Sequence, residues 1–203
     1  PNHRKVTQYV PFADGGPGNG NPGENLDHGT HVAGSVAGKS RQAGGDIYDG
    51  MAYEAKIAFF DIGQAGARGL SVPQSLERNF FPFAYKAGAK IHTNSWGSES
   101  LLGDYTSDSR SVDLFTKEYP EFLAIFSVGD MNSSGVTSPS TSKNSLSVGS
   151  STTGSFSSDG AGGVYNSSSR GPTSDGRIKP DIVAPGVMIC SARAEEASLV
   201  TGG

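Results

Sequence analysis

Short apolar runs, separated by polar or glycine-rich segments, set the pattern of this chain. Phe122–Val128 is the clearest run, Ile57–Ile62 is similar, and Ala89–Trp96 is less pure. Leu146–Val148 and Val187–Cys190 are weaker candidates. Runs this short, apolar on both faces, suit strands buried in a parallel sheet. Between them, residues 30–38, 72–87 and 109–119 are compatible with helix. Ser71 is the expected N-cap before Val72 and Pro73, and Gly88 the expected stop. Strand and helix in alternation predict an α/β domain with a mostly parallel sheet.

Two stretches break the alternation. Residues 14–25 are rich in Gly, Pro and Asn and read as a surface loop. They lack the GK[ST] ending of a phosphate loop. Residues 133–169 are rich in Ser, but Leu146–Val148 sits inside them. They read as loops within one domain, not as a linker. No repeat is visible, and 203 residues suit a single domain spanning 1–203.

Composition narrows the function classes. The net charge is −4 and the Lys and Arg residues are scattered, so nothing suggests a nucleic-acid partner. One Cys excludes an intrachain disulfide framework and a Cys-based zinc site. No apolar run is long enough to form a transmembrane helix. The chain opens with Pro-Asn-His-Arg-Lys, neither an initiator Met nor a signal peptide. An internal segment of a longer protein is therefore expected.

The sharpest local feature is Asp27-His28-Gly29-Thr30-His31-Val32-Ala33-Gly34-Ser35-Val36-Ala37-Gly38. It places His28 where a glycine-rich loop meets a helix of small residues. An imidazole presented by a rigid element suits general-base work near neutral pH. Ala33, Gly34, Ala37 and Gly38 would let the helix pack closely against its neighbours. A metal is the weaker reading. His28 and His31 are three apart, no third ligand is suggested, and the spacing is not HExxH. Cys190, in an apolar run, reads as a small buried hydrophobe.

The Asp27–Gly34 motif resembles the histidine motif of the subtilases, the subtilisin-like serine peptidases. Other segments match the family in the same order. Met51–Ile57 resembles the entry to a core strand, and Asn94–Gly97 the segment beside bound substrate. Val128-Gly129-Asp130 resembles the oxyanion-hole motif, and Thr137–Ser140 the substrate-pocket proline turn. Ser168–Pro172 and Lys179–Gly186 resemble two further signatures. The resemblance implies a three-layer α/β/α fold and a Ser-His-Asp endopeptidase working through an acyl-enzyme. Under it, His28 is the general base and His31 is structural. Ser95, Trp96 and Gly97 line the substrate cleft, and Pro139 follows a cis bond. The implied partners are a peptide or protein substrate and the remaining segments of the same protease. The implied location is secreted or vacuolar. No cofactor is required. A structural calcium is compatible with the family, but no ligands can be assigned and no EF-hand-type loop is present.

Three departures qualify the resemblance. The triad Asp should precede His28 at the end of an apolar strand. Asp14 is the nearest imitation, yet it stands unusually close to His28. Arg4–Val10 looks like the strand that follows the missing Asp. The Gly-Thr-Ser nucleophile motif is absent, so the segments carrying Asp and Ser are expected outside these 203 residues. The isolated segment is therefore expected to be inactive. Finally, Asp130 stands where most members carry Asn. An amide donates to a developing oxyanion, whereas an ionised carboxylate only accepts. The alternative is a non-catalytic, subtilase-like scaffold that binds peptides.

Overall fold

The computed structural model describes residues 5–12, 28–41, 44–63, 69–153 and 163–193. The chain divides into two compact units, Pro1–Val72 with Cys190–Gly203, and Pro73–Ile189.

In the first unit, β1 (Val6–Pro11) and β2 (Ile57–Asp61) pair in parallel. A parallel pair needs a crossover, and helix α1 (His28–Ala37) lies within it. The small residues of α1 do what their size allows. Residues 50–52 run against the helix end: Gly50 N–H donates to Gly38 O, Met51 N–H to Ser35 O and Ala52 N–H to Val36 O, at 2.7–3.1 Å. A Cβ at Gly50 would lie 2.5 Å from Gly34 O, and one at Gly34 would lie 2.5 Å from Ser191 Oγ. Ser191 Oγ also donates to His31 O at 2.7 Å. The helix is thus clamped by two chain segments that only small side chains admit.

The second unit is built on a four-stranded parallel sheet in the order β3 (Ile91–Asn94), β4 (Leu123–Ser127), β5 (Leu146–Ser151), β6 (Ile182–Pro185). Helices α2 (Leu76–Asn79), α3 (Phe81–Lys86) and α4 (Ser107–Glu118) contribute to its core. Leu76, Phe81, Val112, Phe115, Ala124 and Phe126 are buried. Phe81, Phe115 and Phe122 pack as an aromatic cluster with ring centroids 4.9–5.6 Å apart. Ile91, Leu123 and Ile182, the first residues of their strands, remain exposed.

Four expectations are corrected here. The helix expected over 72–87 is two helices. Phe80 leaves helical geometry at φ −131°, ψ −74°, and Pro82 then lacks the N–H that would continue the ladder. The residue at the N-cap position is Ser75, not Ser71, and its hydroxyl makes no cap bond; Ser71 N–H instead donates to Ile62 O. Val187–Cys190 forms no strand. The last strand is Ile182–Pro185, and Met188 adopts a left-handed φ of 56°, which a strand cannot contain. Cys190 follows that bend and is exposed, not buried.

Candidate active site

His28 is the first residue of α1 and is exposed. Its neighbour Gly29 sits against Phe59 of β2; a Cβ there would lie 2.9 Å from the ring. Asp14 and Asp27 lie outside the described residues. Among the described residues, no group of three His, Cys, Asp or Glu side chains is placed to hold a metal ion. None of their helices is long and apolar enough to cross a membrane.

The other expected site residues lie in the second unit, Ser95–Gly97 and Asp130 at the carboxyl ends of its strands and Pro139 in the loop between β4 and β5. Such ends are where open α/β sheets bind ligands. Ser95–Gly97 leave the end of β3, and Val128–Asp130 leave the end of adjacent β4. An open cleft of about 280 Å³ there is lined by Asn94, Ser95, Gly129, Asp130 and Gly186, among others. A second depression, of about 420 Å³, lies past the end of α4 by Glu121 and Asn144, away from these motifs.

Each wall of the cleft is held in place. The buried Asn94 amide donates to His92 O at 3.2 Å and to Ile125 O at 3.1 Å, tying β3 to β4. Ser95 and Gly97 are exposed. Trp96 is half-buried, its ring edge-on to Phe126 at 5.6 Å and to Phe80 at 6.0 Å. Ser98 N–H donates to Ser138 O at 2.8 Å, joining this edge to the next loop. Gly129 adopts φ +93°, a region that favours glycine. The buried Ser169 pins the turn: its N–H donates to Gly129 O, and its hydroxyl accepts from Met131 N–H, both at 2.9 Å. The Ser168–Pro172 signature is therefore a brace for residues 129–131. Gly171 N–H donates in turn to Lys179 O at 2.9 Å, so the last two signatures pair with each other.

Asp130 is exposed, and its Oδ1 accepts from Ser167 Oγ at 3.4 Å. The Ser138–Pro139 bond is cis, as the resemblance implies, and Pro139 is buried. Beneath that turn runs a string of hydroxyls. Ser138 Oγ bonds both Thr106 Oγ1 and Ser109 Oγ, Ser109 Oγ lies 2.6 Å from Thr141 Oγ1, and Thr141 Oγ1 donates to Asp104 O at 2.8 Å. The structure thus brings Ser95, Trp96, Gly97, Asp130 and Pro139 into one unit. Thr137, the first residue of the pocket-turn motif, is buried beside them.

The subtilase family profile matches residues 5–202. The chain belongs to the subtilase family. Among curated relatives it is similar to the Dictyostelium discoideum "Serine protease/ABC transporter B family protein tagB", with 31% identity over 95% of this chain and 14% of that protein. It is also similar to "Serine protease AprX" of Bacillus subtilis (strain 168), with 28% identity over 85% of this chain and 40% of that protein. The chain therefore spans less than half the length of either relative. Among solved structures, the protease domain of PatA matches with a TM-score of 0.69 and 22% identity, over 93% of this chain and 62% of that one. Sphericase matches with a TM-score of 0.60 and 22% identity, over 82% and 55%. The fold of this subtilase is accordingly α/β and subtilisin-like, as its parallel sheets and helices require.

Proposed function

We propose that the protein containing this chain is a serine endopeptidase that cleaves peptide bonds through an acyl-enzyme. One observation supports the reading above the others. The Ser95–Gly97 edge and the Gly129–Asp130 turn leave adjacent parallel strands, and Ser95, Gly129 and Asp130 line the same cleft. A peptide can pair with the exposed Ser95–Gly97 backbone as an added strand. Its scissile carbonyl then lies toward the 129–130 turn, where backbone and side-chain groups meet the charge that develops.

His28 takes the proton of the attacking serine and returns it to the leaving amine. The serine and its orienting aspartate come from segments beyond these residues. The 203-residue chain alone leaves a fluorophosphonate probe unreacted and casein uncut, whereas the intact protein is labelled on its serine. No labelling of the intact protein would remove this reading. No cofactor enters the chemistry, and the substrate is a peptide or protein.

Asp130 favours a second reading, a peptide-binding scaffold without catalysis. Its exposed carboxylate already acts as an acceptor, toward Ser167. An ionised acceptor at this point opposes a developing oxyanion. The same probe separates the two readings, because a scaffold binds peptides and is not labelled.

A further inference from the structure

His28 is exposed, so burial does not hold its imidazole; the place of the ring follows from the place of the first turn of α1. That turn takes a hydrogen bond from a distant part of the chain. Ser191 Oγ donates to His31 O at 2.7 Å, from 160 positions away in sequence. The same carbonyl accepts Ser35 Oγ, from within the helix, at 3.0 Å. Three residues further on, Gly34 makes room for Ser191 and Ala192. A Cβ at Gly34 would lie 2.5 Å from Ser191 Oγ, 2.8 Å from Ala192 Cβ and 2.9 Å from Ala192 N. Ser191 is therefore located twice, by the bond it gives and by the bare helix surface it rests on. The carboxyl half of α1 is tied separately, by the bonds from residues 50–52 to Ser35, Val36 and Gly38. Ser191 acts on the half that carries His28.

We propose that Ser191 is a positioning residue for the peptidase chemistry: its hydroxyl sets the register of the His28 turn against the chain segment that goes on to the nucleophilic serine. The proposal rests on the peptidase reading given above, in which the serine follows His28 in chain order. A serine and its general base must come within hydrogen-bond reach, about 2.6–3.2 Å. They stand on separate segments, so their spacing depends on where those segments are joined. Ser191 is such a joint, because it lies on the later segment and bonds the helix of the earlier one. Without its hydroxyl the surfaces of Gly34 and Ala192 still touch, but apolar contact is non-directional and lets them slide. The His31 carbonyl keeps Ser35, so the helix survives the loss. A misplacement of about 1 Å, caused by a change far from the reacting atoms, costs up to about a hundredfold in rate. The peptide pairs with Ser95–Gly97, which belong to the other unit, so its binding is left unchanged.

The test compares the intact protein with its Ser191→Ala variant, both shown to be folded by circular dichroism at the assay temperature. A fluorophosphonate counts the competent serines, and its labelling rate is followed as well. Peptide p-nitroanilide hydrolysis then gives kcat per labelled site and KM. Ser191→Ala is expected to lower kcat per site by about ten- to a hundredfold and to slow labelling in parallel, with KM little changed. If Ser191→Ala does not fold, Ser191→Cys makes the same comparison, because it keeps the size and weakens the donor. A variant that melts lower but keeps the wild-type kcat per site overturns the proposal, since Ser191 then serves stability alone. So does a loss carried wholly by KM. A wild-type protein that is not labelled defeats the peptidase reading, and this proposal with it.

Discussion

Lys179 Nζ lies 2.8 Å from Asp181 Oδ2, and the Lys179 side chain is only 4% exposed. The same Asp181 oxygen accepts from Ser147 N–H and Ser147 Oγ, both at 2.7 Å. One carboxylate thus neutralises a buried ammonium and anchors the approach to β6 on β5.

Removing Asp181 leaves that ammonium buried without its counter-charge. Asp181→Ala in the intact protein is expected to cost about 3–5 kcal/mol in urea denaturation, whereas Lys179→Met costs less, because it removes the buried charge itself. Burial pushes the Asp181 carboxyl up, but its bonds to Lys179 and Ser147 outweigh burial and hold it below the usual range. A depressed carboxylate contributes stability above its unfolded value near 4 and loses it as pH falls through the folded value. Acid stability of Asp181→Ala should therefore fall less steeply below about pH 4 than that of wild type. A loss under about 1 kcal/mol for Asp181→Ala would contradict the pairing.

His92 gives a second pH dependence, at higher pH. Burial lowers its pKa to about 4, opposed by Asn94. The ring packs against Phe80 and Phe81, with centroids at 4.8 and 5.1 Å, and its Nδ1 is buried without a hydrogen-bond partner. The unfolded chain binds a proton near pH 6.5 that the folded chain refuses until about pH 4. Stability is full above about 6.5 and declines toward 4, by about 3 kcal/mol in total. His92→Phe should flatten the melting temperature between pH 6.5 and 4, scanned in steps. A wild-type curve that is already flat there would show that His92 is not buried as described.

Gly129→Ala meets two obstacles, a φ of +93° and a methyl 2.5 Å from Thr137 Cγ2. The expected cost is about 1–3 kcal/mol for the backbone and a similar amount for the overlap. Thr137→Ser removes Cγ2, so the double variant should recover part of the loss. Strict additivity of the two changes would show that they do not touch.

Asp130→Asn replaces an acceptor by an amide that donates. If Asp130 faces the developing oxyanion, kcat of the intact enzyme rises, by up to about 10²-fold. An unchanged or lower kcat at neutral pH would place Asp130 in another role, such as holding Ser167.

Much of this fold is legible in the sequence, for physical reasons. Ile57–Phe60 and Leu123–Phe126 are apolar at successive positions, the pattern of parallel strands, and both form such strands, although β2 is half-buried and Leu123 stays exposed. The close packing of α1 follows from Ala33, Gly34 and Ala37. The last strand was misplaced because Val187–Cys190 is as apolar as Ile182–Pro185, and only the left-handed Met188 separates them. That same bend exposes Cys190. The break at Phe80 was hidden by the helix-forming residues on either side of it. Motif wording singled out Ser95–Gly97, Asp130 and Pro139, and the fold gathers them in one unit. The close approach of Gly97 and Gly129 to Thr137 could not be read from a Ser- and Thr-rich stretch. It arises only when the chain brings residues 97, 129 and 137 to one point.

The hydroxyl string through Thr106, Ser109, Ser138 and Thr141 bears on how this turn could change. Each hydroxyl both gives and receives, so its neighbours set its orientation. Replacing one by a methyl strands the next, and that single step costs more than replacing the set. Directed evolution that alters one position at a time would find this loop nearly immovable. Libraries that vary the four positions together are the practical way to reshape the turn that carries Pro139 and follows Thr137.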